Sequence, residues 1–378
     1  VMDMVPSLNP FNASLGVSPP VLVGRDGDIE DFSWALDSGP GSHERISLIK
    51  GTRGMGKTVL LNAFEDVARE RGWHVISETA TRGFVARIRD YAYRLLSQSE
   101  NTEKARVRGF KFGSVGMDME RQEMHQPELT LRDTLTMLLE SQVDRAARVG
   151  QEIPGLLITL DELHYLSRAE IIEFATTVQH LLRENRQIAV AMAGIPSAVE
   201  PLLSDKDGTN QLTFLRRANR IELRGVHTSE VRRGLSIPLQ ERGLSWEKSA
   251  LDQAVQACAG YPFMIQLVGQ WSVRYAASKV IDEPTVQAGV DKARAKLRQL
   301  VHEPAVADLS EKDRDFLSAM AEDEGPSSIC SIAERLAVSS QYVNRYRERL
   351  LLNQMIYSPQ RGYVDFALPY LREYMRES

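Results

Sequence analysis

Apolar and polar positions follow two rhythms along this chain. Short apolar runs, Ile46-Ser47-Leu48-Ile49, Leu156-Leu157-Ile158-Thr159-Leu160 and Ile188 to Ala193, are what strands of a parallel sheet covered on both faces require. Trp73–Thr79 reads as another strand and Ile221-Glu222-Leu223 as a short last one. Between them apolar residues recur at helical spacing. Ile29, Phe32, Trp34 and Leu36 form one such set. The stretch from Val59 to Arg71 is a second, and Phe84, Val85, Ile88, Tyr91, Ala92 and Leu95 a third. Residues 127–147 and 169–184 supply two more. Strands alternating with helices predict a doubly wound α/β domain over residues 1–225.

From His227 the rhythm is helical throughout. Thr228 or Ser229 is placed to cap a helix through Leu239, and Ser245 one through Ala259. Pro262 opens a third, to about Ala277, and Pro284 a fourth, to about Leu300. These helices predict a lid over 226–302. After a linker from Leu300 to Ser310, residues 303–378 read as helix, helix, turn, helix and a two-stranded wing around Gln360-Arg361-Gly362. That order is a winged helix-turn-helix. Two segments break the pattern. Residues 1–23 carry Pro6, Pro10, Pro19 and Pro20 and read as an extended arm. Lys104 to Gln126 reads as a β-hairpin turning at Gly109, Gly113 and Gly116. Its basic first half either pairs with Asp118 and Glu120 or forms a finger for a nucleic acid or partner.

Composition narrows this picture only in places. The 378 residues carry a net charge of −5, so any nucleic-acid contact needs a local patch rather than a global basic field. Cys258 and Cys330 stand in no metal or redox spacing and read as small hydrophobes in a reducing compartment. No apolar run approaches the roughly 18 residues of a membrane helix. No signal peptide is visible. A cytoplasmic protein without a membrane segment is expected.

The chemistry concentrates at Gly51-Thr52-Arg53-Gly54-Met55-Gly56-Lys57-Thr58, which lies between a strand and a helix. In that context G-x-x-x-x-G-K-[ST] is a phosphate site. Glycines let successive N–H groups face one anion, and the new helix adds the positive end of its dipole. Lys57 is placed for the β- and γ-phosphates of a nucleoside triphosphate, and the Thr58 hydroxyl for Mg²⁺. At the end of a buried strand, Asp161 is placed to hold the Mg²⁺ water shell and Glu162 to polarise a water for attack on the γ-phosphate. Hydrolysis follows more readily than transfer to a small acceptor, because no acceptor pocket is legible. Arg216, Arg217 and Arg220 precede the last strand. Arg217, then Arg216, are the candidates for an arginine finger offered to a neighbouring subunit, with surface salt bridging as the alternative.

These motifs together resemble the AAA+ superfamily, and within it the branch related to origin-recognition initiators and STAND switch proteins. Val23-Gly24-Arg25-Asp26 looks like that branch's box II beside the adenine. Gly51–Thr58 matches Walker A and Leu157–Glu162 matches Walker B. Gly260-Tyr261-Pro262 looks like the Gly-x-Pro signature of the lid, near the base. More narrowly, Val75–Ala80, Thr213–Arg217 and Val364–Tyr370 resemble a family of actinobacterial ATP-binding proteins with a C-terminal winged helix. The resemblance implies ATP and Mg²⁺ as cofactors and ATP-dependent homo-oligomers. Two departures stand out. Ala193-Gly194-Ile195-Pro196 carries no polar sensor at the fourth strand's end, and Phe263 and Met264 stand where initiators carry a sensor arginine. Both imply slow, switch-like hydrolysis.

In a winged helix the second helix of the pair enters the DNA major groove. Here it would offer Gln341, Asn344, Arg345 and Arg349, with Arg361 at the wing tip, while Tyr342, Val343, Tyr346 and Leu350 face the core. Glu348 on the outer face opposes phosphate. Two functions therefore stand: a DNA-associated ATPase, and a signalling or defence ATPase whose winged helix docks on a protein effector.

Overall fold

The structure, a computed structural model, describes residues 9–14, 16–108, 129–150, 153–163, 168–196, 199 and 213–377. Five strands form one parallel sheet: β1 (Ile46–Lys50), β2 (His74–Thr79), β3 (Leu156–Asp161), β4 (Ile188–Gly194) and β5 (Asn219–Glu222). Their order is β2-β3-β4-β1-β5, so β1 lies between β4 and β5. Helices α1 (Asp26–Asp37) and α2 (Lys57–Glu70) cover one face. Helices α3 (Phe84–Arg108), α4 (Leu131–Val149) and α5 (Arg168–Arg183) cover the other.

The apolar runs divide between these faces residue by residue, as a period of two demands. Ile188, Val190 and Met192 of β4 pack with α3–α5. Ala189, Ala191 and Ala193 face α1 and α2. The small side chains leave α2 room to lie close to the sheet, and α2 carries the glycine-rich loop. Arg45, just before β1, is fully buried. Its guanidinium donates to the carbonyls of Ala35 and Leu36 and to Gln187 Oε1, and lies over the Trp73 ring. Burial pushes its pKa down to about 10, so it remains a cation at neutral pH, held by carbonyl dipoles.

The helical region contains α6 (Thr228–Gln240), α7 (Lys248–Cys258), α8 (Pro262–Tyr275) and α9 (Glu283–Leu297). Two caps differ from expectation. His227 caps α6, its Nδ1 accepting from the Ser229 N–H. Ser245 caps nothing. It pairs with Val280 in a two-residue parallel ladder of β6 (Ser245–Trp246) and β7 (Val280–Ile281), and α7 starts two residues later. The expected linker is also helical. A π-helical turn, Arg298–His302, and α10 (Glu303–Ala307) carry α9 onward. The final unit comprises α11 (Glu311–Ala321), α12 (Ile329–Arg335), α13 (Ser340–Leu352) and α14 (Leu371–Glu377). Strands β8 (Ser327–Ser328), β9 (Ile356–Tyr357) and β10 (Tyr363–Phe366) form an antiparallel sheet with β10 central. A capping box at Ser310 and Asp313 starts α11, and the Ser339 hydroxyl caps α13.

The start of the expected hairpin is helical, because α3 runs through Arg108. Residues 109–126 of that segment lie outside the described residues. No helix among the described residues is long and apolar enough to cross a membrane.

The helical region and the final unit share one apolar core, which also takes in Phe11 and Val23 from the N-terminal arm. Their joint is polar as well as apolar. Tyr370 Oη donates to Ala257 O at 2.7 Å, and the Arg294 guanidinium lies 4.1 Å from the Tyr370 ring centre. His302, 1% exposed, places Nε2 2.9 Å from Pro369 O and its ring against Tyr374. Its Nδ1 is buried with no hydrogen-bond partner.

Burial, opposed by the Pro369 hydrogen bond, lowers the His302 pKa to about 4. The unfolded chain takes up this proton near pH 6.5. His302 therefore leaves stability intact above about 6.5 and removes it as the pH falls toward 4. We expect wild type to lose more stability over that window than His302→Phe, by on the order of 3 kcal/mol at most, in urea titrations at stepped pH. Equal pH slopes for the two proteins would show that His302 is not the titrating group.

Candidate functional site

The loop between β1 and α2 is shaped by its neighbours. Gly51 N donates to Gly194 O at the end of β4, and Leu223 N donates to Lys50 O from beyond β5. Gly54 and Gly56 take φ of 80° and 90°, in the left-handed region. Position 54 has a second reason to be glycine: a Cβ there would lie 2.1 Å from Tyr261 Oη. Tyr261 is buried at the start of α8, and its hydroxyl donates to Arg53 O. The tip of the loop is thus clamped by a residue more than two hundred positions away.

Lys57 Nζ donates to the carbonyls of Gly51 and Thr52, at 2.9 and 3.1 Å. Burial lowers its pKa, opposed by Glu162 and then Asp161. Thr52 Oγ1 is buried without a hydrogen-bond partner. Thr58 Oγ1 donates to Asp161 Oδ2 at 2.5 Å, so the hydroxyl and carboxylate lie side by side. Glu162 follows at φ 61°, with its N–H on Asp161 Oδ1 at 2.8 Å. A non-glycine residue held in that region at a strand end is local strain of the kind found at working sites.

This arrangement fits a bound phosphate chain with Mg²⁺. The loop presents backbone N–H groups at a helix N-terminus, a half-buried ammonium and an unpaired hydroxyl on Thr52. Thr58 and Asp161 offer two adjacent oxygens. Mg²⁺ characteristically takes one or two protein oxygens and completes its shell with phosphate and water. Among the described residues no group of three or more His, Cys, Asp and Glu side chains could hold a metal ion.

The remaining candidates fall in three places. Val23 is buried beside Gly234 of α6, and the Gly24 N–H donates to Glu230 Oε2 at 3.1 Å. Arg233 joins Asp26 to the same Glu230. The stretch 23–26 is thus tied to α6. Pro262 opens α8 next to Tyr261, and Met55 touches the cores on both sides. Arg53 is exposed at the loop tip. Arg216 and Arg217 are exposed in a 3₁₀ turn that precedes β5. β5 runs parallel to β1, with Ser47 opposite Asn219 and Lys50 opposite Glu222. Both arginines therefore lie at the far end of the sheet, roughly 13 Å of strand from the loop, and do not join Lys57 within one chain.

On α13, Gln341, Asn344 and Arg345 are exposed, as is Arg361 between β9 and β10. Arg349 is placed differently from expectation. It pairs with Asp313, which is 2% exposed, and donates to Ser310 Oγ at 2.8 Å. It holds α13 to α11. Tyr342 is not a core residue: it is 42% exposed, and its hydroxyl accepts from Tyr346 at 2.8 Å.

Sequence reasoning missed Tyr261 as a neighbour of the loop and Glu65 as a partner of Thr159. The signals were present: a hydroxyl inside the apolar run of β3, and an acid on the apolar side of α2 seven residues after Thr58.

Residues 21–190 match a family model described as the AAA ATPase domain. Residues 299–375 match one described as a domain of unknown function, DUF8462. No curated protein matches the chain. Among solved structures, the Walker-type ATPase paby2304 of Pyrococcus abyssi is 16% identical, with 94% of this chain covering 96% of that one at a TM-score of 0.65. At that identity the likeness is one of fold. The RuvB Holliday junction branch migration motor of Thermotoga maritima is 15% identical, covering 94% and 95% of the two chains at a TM-score of 0.46. Cdc6p from Pyrobaculum aerophilum is 14% identical, covering 96% and 95% at 0.45.

Gly54→Ala adds backbone strain and a clash with Tyr261, and should cost roughly 2–4 kcal/mol. Combined with Tyr261→Leu the two costs should sum to less than their separate values, because the clash is shared. Denaturant titration of the four proteins measures the coupling, and simple additivity would show that the two residues do not meet.

Proposed function

We propose that this chain is an ATP-binding and ATP-hydrolysing switch of the AAA+ kind. The carrying observation is the joined pair of elements: Lys57 folded over the loop, with Thr58 Oγ1 2.5 Å from Asp161. We read residues 1–225 as the nucleotide-binding domain, 226–302 as its lid and 303–378 as a winged helix. The helix, helix and hairpin order of α11–β10 and the separate family match over 299–375 support this division.

On this reading Gly51–Thr58 and Lys57 bind and orient the phosphates, and Val23, Gly24 and Pro262 border the base. Thr58 and Asp161 hold Mg²⁺, which when bound draws charge from the phosphate oxygens. Glu162 orients a water and takes its proton. Arg217 or Arg216 serves only in trans, from a neighbouring subunit of a homo-oligomer, since both lie at the far end of the sheet. Hydrolysis is slow. β4 ends in Ala193 and Gly194, and Met264 is fully buried. Neither position offers a polar group to the reaction.

The output is DNA contact through α13 and the hairpin. Gln341, Asn344 and Arg345 occupy one exposed helical stripe, with Arg361 beside it on the hairpin. Arg349 is engaged with Asp313 and drops out of this surface. A second reading, docking on a protein effector, draws support from the exposed Tyr342–Tyr346 pair, whose ring centres are 5.0 Å apart.

Lys57→Ala should abolish ATP binding. Glu162→Gln should bind ATP as wild type does and lose about a hundredfold or more in turnover. Isothermal titration and phosphate release measure the two effects, and an active Glu162→Gln protein would show that another group is the base.

Binding to random duplex DNA should weaken steeply as salt rises, because basic groups displace counterions. Arg345→Ala and Arg361→Ala should each lower affinity and flatten the salt slope by about one. No binding at low salt, with or without ATP, would sink the DNA reading and leave protein docking.

A further inference from the structure

Two polar side chains are buried beneath the site and belong neither to its loop nor to its acid pair. Glu65 on α2 is 5% exposed and Thr159 on β3 is 1% exposed. Thr159 Oγ1 donates to Glu65 Oε1 at 2.6 Å, and Arg69 donates to Glu65 Oε2 at 2.7 Å. Core packing alone does not call for a carboxylate here. Leu61, Phe64 and Ala68 already fill the inner face of α2, and a buried acid is costly unless hydrogen-bonded.

Their positions supply the reason. Glu65 lies two turns after Thr58 on the same face of α2. Thr159 lies two residues before Asp161 on the same side of β3. Helix and strand are therefore pinned twice along one line, by Thr58–Asp161 at 2.5 Å and by Glu65–Thr159 at 2.6 Å. Apolar contact between a helix and a sheet is non-directional and resists sliding weakly. A hydrogen bond to a carboxylate is short and directional.

We propose that Glu65 and Thr159 are positioning residues that set the register of α2 on β3, and through it the separation of Thr58 from Asp161. The inference rests on the reading of those two oxygens as the protein's share of a Mg²⁺ site. The acid and hydroxyl act one layer below the site, as partners that orient metal ligands do.

The test uses the full chain, a fluorescent ATP analogue and MgCl₂ or EDTA. Affinity is measured in each condition, with melting of the nucleotide-free protein alongside. Thr159→Val should lose about tenfold of the affinity that Mg²⁺ adds and keep wild-type affinity in EDTA. Thr159→Ser, which retains the donor, should restore the Mg²⁺ effect. A Thr159→Val protein that melts lower yet keeps the full Mg²⁺ effect would reduce the pair to packing and overturn the proposal, as would a Thr159→Ser protein that behaves like Thr159→Val. If Thr159→Val does not fold, Glu65→Gln decides, and a full Mg²⁺ effect in that variant overturns the proposal. Wild-type protein that binds the analogue equally with Mg²⁺ and EDTA overturns the Mg²⁺ reading itself, and this inference with it.

Discussion

The glycine-rich loop holds itself only in part, through Lys57 on the Gly51 and Thr52 carbonyls, and the rest of its shape is imposed from outside. Here the decisive contact is the Tyr261 hydroxyl on the Arg53 carbonyl, above a position where any side chain would collide with the ring. The other constraints come from the sheet. β4 anchors the loop's first residue through Gly194 O, and the segment after β5 anchors Lys50. Those two contacts lie within the α/β domain. Tyr261 comes from the start of α8 in the helical region, so the geometry of the glycine-rich loop depends on where that helix stands.

That dependence has a long mechanical reach. Tyr261 begins α8, and α8 packs along α9 within one continuous apolar core. α9 runs through the π-helical turn to His302, whose imidazole meets the Pro369 carbonyl in the final unit. The helical region and the final unit thus share a core and a continuous helical connection, whereas the sheet has a core of its own on each face. The loop tip is thus joined through α8 and α9 to the apolar core of the final unit.

Much of this was legible in the sequence because it follows from short-range rules. The runs at β1, β3 and β4 are apolar throughout because both faces are covered, and Pro262 and Ser310 stand where helix starts require them. What escaped was set by contacts between distant segments. Ser245 has the chemistry of a cap, but pairing with Val280 recruits it into a strand. Residues after Leu300 resemble a linker in composition, yet burial of Val301, His302 and Val306 against the final unit keeps them helical. Tyr342 fits an apolar stripe by spacing, but α11 and α13 meet around Val343 and Leu350, leaving its ring outside. At the candidate site, Walker spacing singled out Lys57, Thr58 and Asp161, and the structure sets the last two side by side. Glu65 and Thr159 left only single-residue signals, an acid on an apolar helix face and a hydroxyl in an apolar strand, and Tyr261 left none, because each contact spans more than ninety residues.

Several arginines of the final unit are committed to ion pairs within it. Arg335 is taken by Asp323, Arg349 by Asp313, Arg372 by Asp365, and Arg376 lies against Glu324 and the Ala321 carbonyl. These pairs brace the helices and strands of the final unit against one another. The Arg335 bridge holds the Asp323 carboxyl down at about 2, so that pair stays charged well into the acid range. A basic side chain committed to such a bridge offers less to a phosphate than a solvated one, since its partner carboxylate offsets its charge. Of the basic groups on α13 and the hairpin, Arg345 and Arg361 remain exposed and outside these bridges.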